Sequence, residues 1–245
     1  MSYNILLCGV GGQGTVLASK LLAATACKTG ITVHSAETIG MAQRGGPVIS
    51  HVRLGEDAYA PLIPKKKADL IIAFEPAEAV RNLGYLKKGG AVIVNSSPIK
   101  PVTESLHPAG YDGSEMTKYL EGFVKRLVVV DADDLCKDLG SAKYFNVAVL
   151  GLALGAGLLS FTKEDMLSTI ETTVKEAFTE INKKAFITGL AAGEAARQAN
   201  PELAVPGEAR EMSKRNLTDE EEKHFLAVKE EIEEKRRKAA EGVKS

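Results

Sequence analysis

Four glycines fall within six residues near the start of the chain, Gly9-Val10-Gly11-Gly12-Gln13-Gly14. They stand between an apolar run, Tyr3 to Cys8, and a segment, Thr15 to Lys28, that carries Leu17, Leu21, Leu22 and Ala24 at helical spacing. Strand, glycine loop and helix in that order form a motif for close approach to phosphate. Gly9 would serve the tight turn, Gly11 the approach of backbone to an anion, and Gly14 the packing of helix on strand. Amides from Gly11 to Thr15, at a helix start, would attract negative charge. Gln13 adds what the dinucleotide fingerprint does not require, a side-chain amide able to meet a phosphate, a carbonyl or a partner's backbone. Glu37 falls near the place of a ribose-binding acid, which leaves an NAD-binding reading open. A tight turn with no ligand would use the same glycines.

The second segment with chemical potential is Gly40-Met41-Ala42-Gln43-Arg44-Gly45-Gly46-Pro47, which leads into Val48-Ile49-Ser50-His51-Val52-Arg53. Gly45, Gly46 and Pro47 would shape a tight, stiff loop presenting Gln43 and Arg44 to a carboxylate or phosphate, with a solvated arginine in an ordinary turn as the alternative. His51 has no second histidine at metal-ligand spacing and reads as a histidine satisfied within a sheet. Asn146 stands at the start of an apolar stretch, where it would cap a helix or reach a cleft, capping being the simpler role.

These residues need elements to hold them. Further strand-like runs are Ile31 to Ser35, Val48 to Leu54, Leu70 to Phe74, Ala91 to Val94 and Leu127 to Val130, separated by helical segments such as Pro76 to Tyr85. Alternation of this kind predicts an α/β fold, a doubly wound and mostly parallel sheet in a three-layer sandwich. Phe145 to Asn200 reads as helical and would cover the sheet or extend beside it. Ligands gather at the carboxyl ends of strands in such sheets, here the glycine loop, Glu37, Glu75, Asn95 and Asp131. Residues 1–200 form one expected domain. From Glu208 to Ser245, 21 of 38 residues are charged, and this shift, with Pro201 and Pro206, sets residues 201–245 apart as a charged helical tail. Within it Thr218 and Glu221 are spaced as a capping box, and Phe225, Val228 and Ile232 form a narrow apolar stripe suited to docking on a partner.

Composition excludes several classes. Lys plus Arg number 31 against 32 Asp plus Glu, a net charge of −1, so there is no basic excess to bind nucleic acid. The three cysteines, Cys8, Cys27 and Cys136, are too scattered for a disulfide framework, a zinc knot or a four-thiolate iron–sulfur site, and a reducing cytoplasm suits them. The longest apolar stretch, Val147 to Ser160, contains glycines and is shorter than the roughly 20 residues that span a bilayer, so it reads as a buried helix and no membrane is expected. The first residues lack a cationic segment and a cleavage site and read as a strand rather than a signal peptide.

Taken together, residues 4–14 (NILLCGVGGQG), 37–53 (ETIGMAQRGGPVISHVR), 69–75 (DLIIAFE), 89–95 (GGAVIVN) and Asn146 resemble, in order, the gamma-type domain of 2-oxoacid:ferredoxin oxidoreductases. The resemblance covers about residues 3–195, and within the family it is strongest toward the small (beta) subunits acting on indolepyruvate. It implies a small subunit, without catalytic residues of its own, of an assembly that oxidatively decarboxylates aryl pyruvates to acyl-CoA and passes two electrons to ferredoxin. Gly9, Gly11, Gly12, Gln13, Gly14, Thr15, Gln43, Arg44, Gly45 and Gly46 are then the candidate binding residues, with CoA as co-substrate. Neither a thiamine signature nor grouped cysteines occur in the chain, so thiamine diphosphate and the iron–sulfur clusters would belong to a large partner subunit in a hetero-oligomer. The charged tail lies outside the family pattern. Three alternatives remain at this point: a pyruvate or 2-oxoisovalerate gamma subunit, a stand-alone NAD(P)- or FAD-binding enzyme, and an adenylating enzyme of the ubiquitin-activating type, for which Cys136 alone is poor support.

Overall fold

In the computed structural model the described residues are 2–39, 45–56, 59–99 and 111–204. The chain runs through β1 (Tyr3–Val10), α1 (Thr15–Lys28), β2 (Val33–Ile39), β3 (Pro47–Leu54), β4 (Ala68–Ala73) and α2 (Pro76–Asn82). There follow β5 (Leu86–Asn95), α3 (Ser114–Phe123), β6 (Arg126–Val130), α4 (Ala132–Cys136), α5 (Phe145–Gly155), α6 (Lys163–Thr173) and α7 (Glu176–Ala199). The strands form one six-stranded sheet in the order β2-β3-β1-β4-β5-β6.

Both faces of the central strands are apolar, as a sheet covered by helices requires. Along β1 the alternation places Ile5 and Leu7 on one face and Leu6 and Cys8 on the other. Leu70 and Ile72 oppose Ile71 and Ala73 in β4, and Ala91 and Ile93 oppose Val92 and Val94 in β5, in the same way. The first face packs against α1, α5, α6 and α7, and the second against α2 and α3. The predicted α/β, doubly wound three-layer sandwich is therefore the observed one, with the heavier helical layer on one side. Phe145 to Gly155, apolar all round and buried except near its end, forms the expected internal helix, α5.

One strand runs against the rest. β3 is antiparallel to both β1 and β2, whereas β1–β4, β4–β5 and β5–β6 are parallel. The cause is chain length: residues 40–46 are too few for a parallel crossover, so β3 returns beside β2. β2 also lies further along than Ile31 to Ser35. Its pairing with β3 reaches Ile39 opposite Val48, and because β2 is an edge strand it tolerates Ser35, Glu37 and Thr38, polar residues that hid its true end.

α5 and α7 run parallel in close contact, Gly189 against Ala148 and Gly193 against Leu152, with Gly151 meeting Phe186 and Leu190 in return. A methyl group at Gly189 would stand 1.8 Å from the Ala148 carbonyl oxygen, so glycine there sets the distance between the helices. No helix among the described residues is long and apolar enough to cross a membrane. The expected domain boundary near residue 200 and the tail after it fall at or beyond the end of the described residues.

Candidate functional site

β1 delivers Val10 to the carboxyl edge of the sheet, and the chain must then turn sharply to begin α1. Gly12 (φ 105°) and Gly14 (φ 81°) supply backbone conformations that other residues adopt only with strain. Gly9 answers a different need, since a Cβ there would come within 2.7 Å of Gln13 Oε1 and 2.8 Å of Phe74 Cβ. A Cβ on Gly14 would meet the Asn146 amide nitrogen at 2.4 Å, so Gly14 lets α5 approach the start of α1.

The antiparallel β3 brings the two sequence motifs together. Val10 pairs with Pro47 and Gly9 with Val48. Beyond the sheet the Gly11 amide donates to the Gly46 carbonyl at 2.8 Å and the Gly45 amide donates to the Gly11 carbonyl at 3.4 Å. Gln43 and Arg44 lie outside the described residues; Gly45 and Gly46, which follow them, are held against the glycine loop.

Gln13 departs from its expected role. Its Oε1 accepts from the Val10 amide at 2.7 Å and its Nε2 donates to the Phe74 carbonyl at 2.7 Å. The side chain thus ties the loop to its own start and to the end of β4, because a loop that leaves a strand abruptly exposes backbone groups needing partners. It is a fastening inside the chain rather than an outward-pointing ligand group. The amides expected to face an anion divide likewise: those of Gly11 and Gln13 are engaged within the chain, the latter with the Val10 carbonyl at 3.2 Å. The first turn of α1 keeps its donors, since Gly14 provides no side-chain cap and no acidic residue occupies that turn. The Thr15 hydroxyl, buried at the first helical position, has no hydrogen-bond partner among the described residues.

The other strand ends are committed to the fold. Glu75 caps α2 through the Glu78 amide at 3.0 Å and accepts the Tyr111 hydroxyl at 2.6 Å. Burial raises its carboxyl above the ordinary carboxylate range, and the Tyr111 bond partly offsets that rise. Asn95 accepts from the Ala132 amide at 3.0 Å and donates to the Phe74 carbonyl at 3.1 Å. Asp131 caps α4, and the amides of that cap, Asp134 foremost, hold its carboxyl below its usual value. Glu37 lies within β2 and accepts the Ser19 hydroxyl at 3.3 Å. With β3 inserted between β1 and β2, it does not occupy the position beside the glycine loop that a ribose-binding acid needs.

His51 is buried, its Nδ1 accepting from the Ile63 amide at 3.2 Å and its ring meeting Tyr85 edge to face. Asn146 does not cap α5. The capping position is Tyr144, and Asn146 sits one residue inside the helix against Gly14. The sequence reading missed Phe74, whose carbonyl receives both Gln13 and Asn95. Cys8 and Cys136 are buried on opposite faces of the sheet, and among the described residues no group of His, Cys, Asp or Glu is gathered for a metal ion. These residues do not fit an iron–sulfur cluster.

Similarity to known proteins agrees with this arrangement. The sequence profile of the pyruvate ferredoxin/flavodoxin oxidoreductase family matches residues 4–192. An indolepyruvate oxidoreductase subunit IorB of Pyrococcus horikoshii is 39% identical over 192 residues, covering 78% of this chain and 95% of the relative. The subunit of the same name from Archaeoglobus fulgidus is 40% identical over 190 residues, covering 77% and 94%. The crystal structure of the gamma subunit of a keto/oxoacid ferredoxin oxidoreductase from Geobacter sulfurreducens superimposes with a TM-score of 0.60 at 25% identity, covering 80% of this chain and 98% of that one. A family match spanning both glycine motifs, together with relatives aligned over nearly their whole length, shows that the chain belongs to the pyruvate ferredoxin/flavodoxin oxidoreductase family, as a small subunit of the 2-oxoacid:ferredoxin oxidoreductase type.

Proposed function

We propose that the chain is the small subunit of an indolepyruvate (aryl 2-oxoacid):ferredoxin oxidoreductase in the cytoplasm. The assembly converts an aryl pyruvate and CoA to acyl-CoA and carbon dioxide, and the two electrons released reduce ferredoxin. Thiamine diphosphate and iron–sulfur clusters belong to a larger partner subunit and supply the decarboxylation and the electron path when bound. This chain contributes a surface that binds and orients. The observation that carries the reading is the joining of Gly11 to Gly45 and Gly46, which holds the glycine loop against the residues that directly follow Gln43 and Arg44 in the chain. A backbone donor set at a helix start and a guanidinium from the adjoining loop are the groups a CoA phosphate needs. The stand-alone NAD reading is disfavoured by the strand between β1 and β2.

Reconstitution with the large subunit tests the proposal. The chain alone is colourless and does not reduce viologen, and the reconstituted complex prefers indolepyruvate and phenylpyruvate over pyruvate and 2-oxoisovalerate. Arg44→Ala raises the apparent KM for CoA while leaving the subunit's own unfolding curve in place, because a loop arginine contributes little to the core. Preference for pyruvate moves the assignment to a sister enzyme, and unchanged kinetics in Arg44→Ala remove that residue from the site.

A further inference from the structure

On the function proposed above, on which this inference rests, CoA enters and leaves at the carboxyl edge of the sheet in every turnover. The contact that holds the subunit permanently in its assembly is then built on another part of the surface. The opposite edge, where β1, β4, β5 and β6 begin and β3 ends, carries the features of such a contact. Tyr59, 91% exposed, and Leu62, 57% exposed, lie on the segment that joins β3 to β4 and are the most exposed large apolar side chains among the described residues. Exposed apolar groups that cluster within a polar rim mark an interaction site, whereas single scattered ones do not.

The segment is pinned at several points. Arg53 Nη1 donates to the Ala60 carbonyl at 2.7 Å, and Arg53 Nε donates to Asn4 Oδ1 at 2.9 Å. Ile63, buried in the layer shared with α2 and α3, donates its amide to His51 Nδ1 at 3.2 Å. Asn4 Nδ2 donates to the Lys67 carbonyl at 2.9 Å, and the Lys66 amide donates to the Gly84 carbonyl at 3.1 Å. Pro61 and Pro64 stiffen the backbone further. Tyr59 and Leu62 are thus presented on backbone that is already ordered, so little conformational entropy is left to lose on docking.

The surroundings are cationic. Lys65, Lys66 and Lys67 follow in the chain, and Lys88 and Lys125 stand at the starts of β5 and β6. All five are exposed, and none is ion-paired among the described residues. Along residues 53–69 and 86–89 the acids among the described residues are Glu56, which is exposed, and Asp69, which is buried and bonded to Lys87 and the Asn4 amide. In a chain of net charge −1 this is a local concentration of positive charge. Neighbouring strands lie about 4.8 Å apart, so the edge from β3 to β6 is roughly 20 Å across, the scale of one face of a specific protein interface.

We propose that this edge docks the small subunit on the large one, with Tyr59 and Leu62 entering an apolar socket and the lysines meeting acidic residues around it. An apolar centre ringed by one sign of charge selects a partner with the complementary ring. A second copy of this chain, meeting the same edge about a two-fold axis, would set lysine against lysine.

Association of the full chain with the large subunit, followed by surface plasmon resonance and by turnover of the reconstituted complex, tests this. Tyr59→Ser/Leu62→Ser weakens binding by at least about thirtyfold, as loss of a central apolar anchor does. Lys67→Glu/Lys88→Glu weakens it about tenfold at low salt, mainly in the association rate, and the difference narrows as salt is added. All four side chains are on the surface, so the unfolding midpoint of the chain alone stays in place. An excess of either variant restores turnover with an unaltered KM for CoA, which separates docking from the glycine-loop site. Unchanged affinity in either double variant overturns the proposal, as does an equal loss in Lys20→Glu/Lys163→Glu on α1 and α6. A chain that is dimeric alone by light scattering, and monomeric in Tyr59→Ser/Leu62→Ser, assigns the face to a second copy and overturns it as well. A complex that forms through this edge but turns over no aryl 2-oxoacid removes the proposed function and leaves the docking face, whereas failure of the unaltered chain to bind the large subunit removes both.

Discussion

Gln13 acts through two hydrogen bonds that close the glycine loop on itself and on β4. Gln13→Ala leaves the Val10 amide unpaired where water reaches it only partly, and a loss of about 1–3 kcal/mol is expected on urea unfolding. An unchanged midpoint would return Gln13 to an outward, ligand-facing role. His51 gives a residue-level prediction in pH. Burial, and secondarily the Lys65 ammonium, hold its imidazole below the ordinary value of 6.5. The unfolded chain then takes up this proton more readily than the native one, so stability from this group is present above about 6.5 and falls as pH drops toward the native value. Glu75, with its raised carboxyl, acts in the opposite sense, stabilising most below its unfolded value and losing that contribution as pH rises through the native one. Comparison with His51→Asn, which keeps an acceptor for the Ile63 amide, isolates the histidine. Its urea midpoint declines less between pH 7.5 and 5.5 than that of the wild type, and parallel curves would exclude the effect.

At the scale of elements, α1 was legible to the residue, because Gly14 before it and regularly spaced leucines within it leave little choice of boundary. The strands on both sides of β1 were legible as apolar runs, but their direction was not. Direction followed from the length of the link between β2 and β3 and from pairing partners that a hydrophobic pattern does not encode. The site was half legible for a related reason. Glycine types and spacing announced a sharp loop, yet whether Gln13 and Asn146 point outward or inward depends on Phe74 and Gly14, neighbours distant in sequence. The α5–α7 contact was invisible for the same cause, and it yields a paired prediction. Gly189→Ala forces a methyl group onto the Ala148 carbonyl and costs about 3 kcal/mol or more, seen as a lowered Tm. Gly122→Ala, on the exposed side of α3 with no atom within 4 Å of the added carbon, raises stability by roughly 0.5–1 kcal/mol through helix propensity. Equal effects of the two substitutions would refute close packing as the reason for glycine in α7.

For the whole molecule, the apolar sandwich holds the described residues together, and we propose that the charged tail serves assembly. A chain ending after Pro206 keeps the α/β unfolding transition, because Leu203, buried against the sheet layer, remains. The same truncation is expected to weaken association with the large subunit, since Phe225, Val228 and Ile232 are spaced for an apolar stripe that a polar helix would stabilise by docking. Light scattering on complexes of full-length and truncated chain measures this, and an unchanged complex would assign the tail to solvation alone.

The reversed strand also bears on the order in which the sheet assembles. β2 and β3 are joined by a short link and zip together on the order of microseconds, as local hairpins do. The parallel β1–β4 and β4–β5 ladders must wait for longer segments to close. Residues 40–46 therefore link the two strands of an early-forming unit, and Gly45 and Gly46 lie against the glycine loop once β3 docks on β1. A substitution between β2 and β3 consequently changes two quantities at once, the speed at which the chain first organises and the surface the finished subunit presents. Refolding rates measured beside binding constants separate the two.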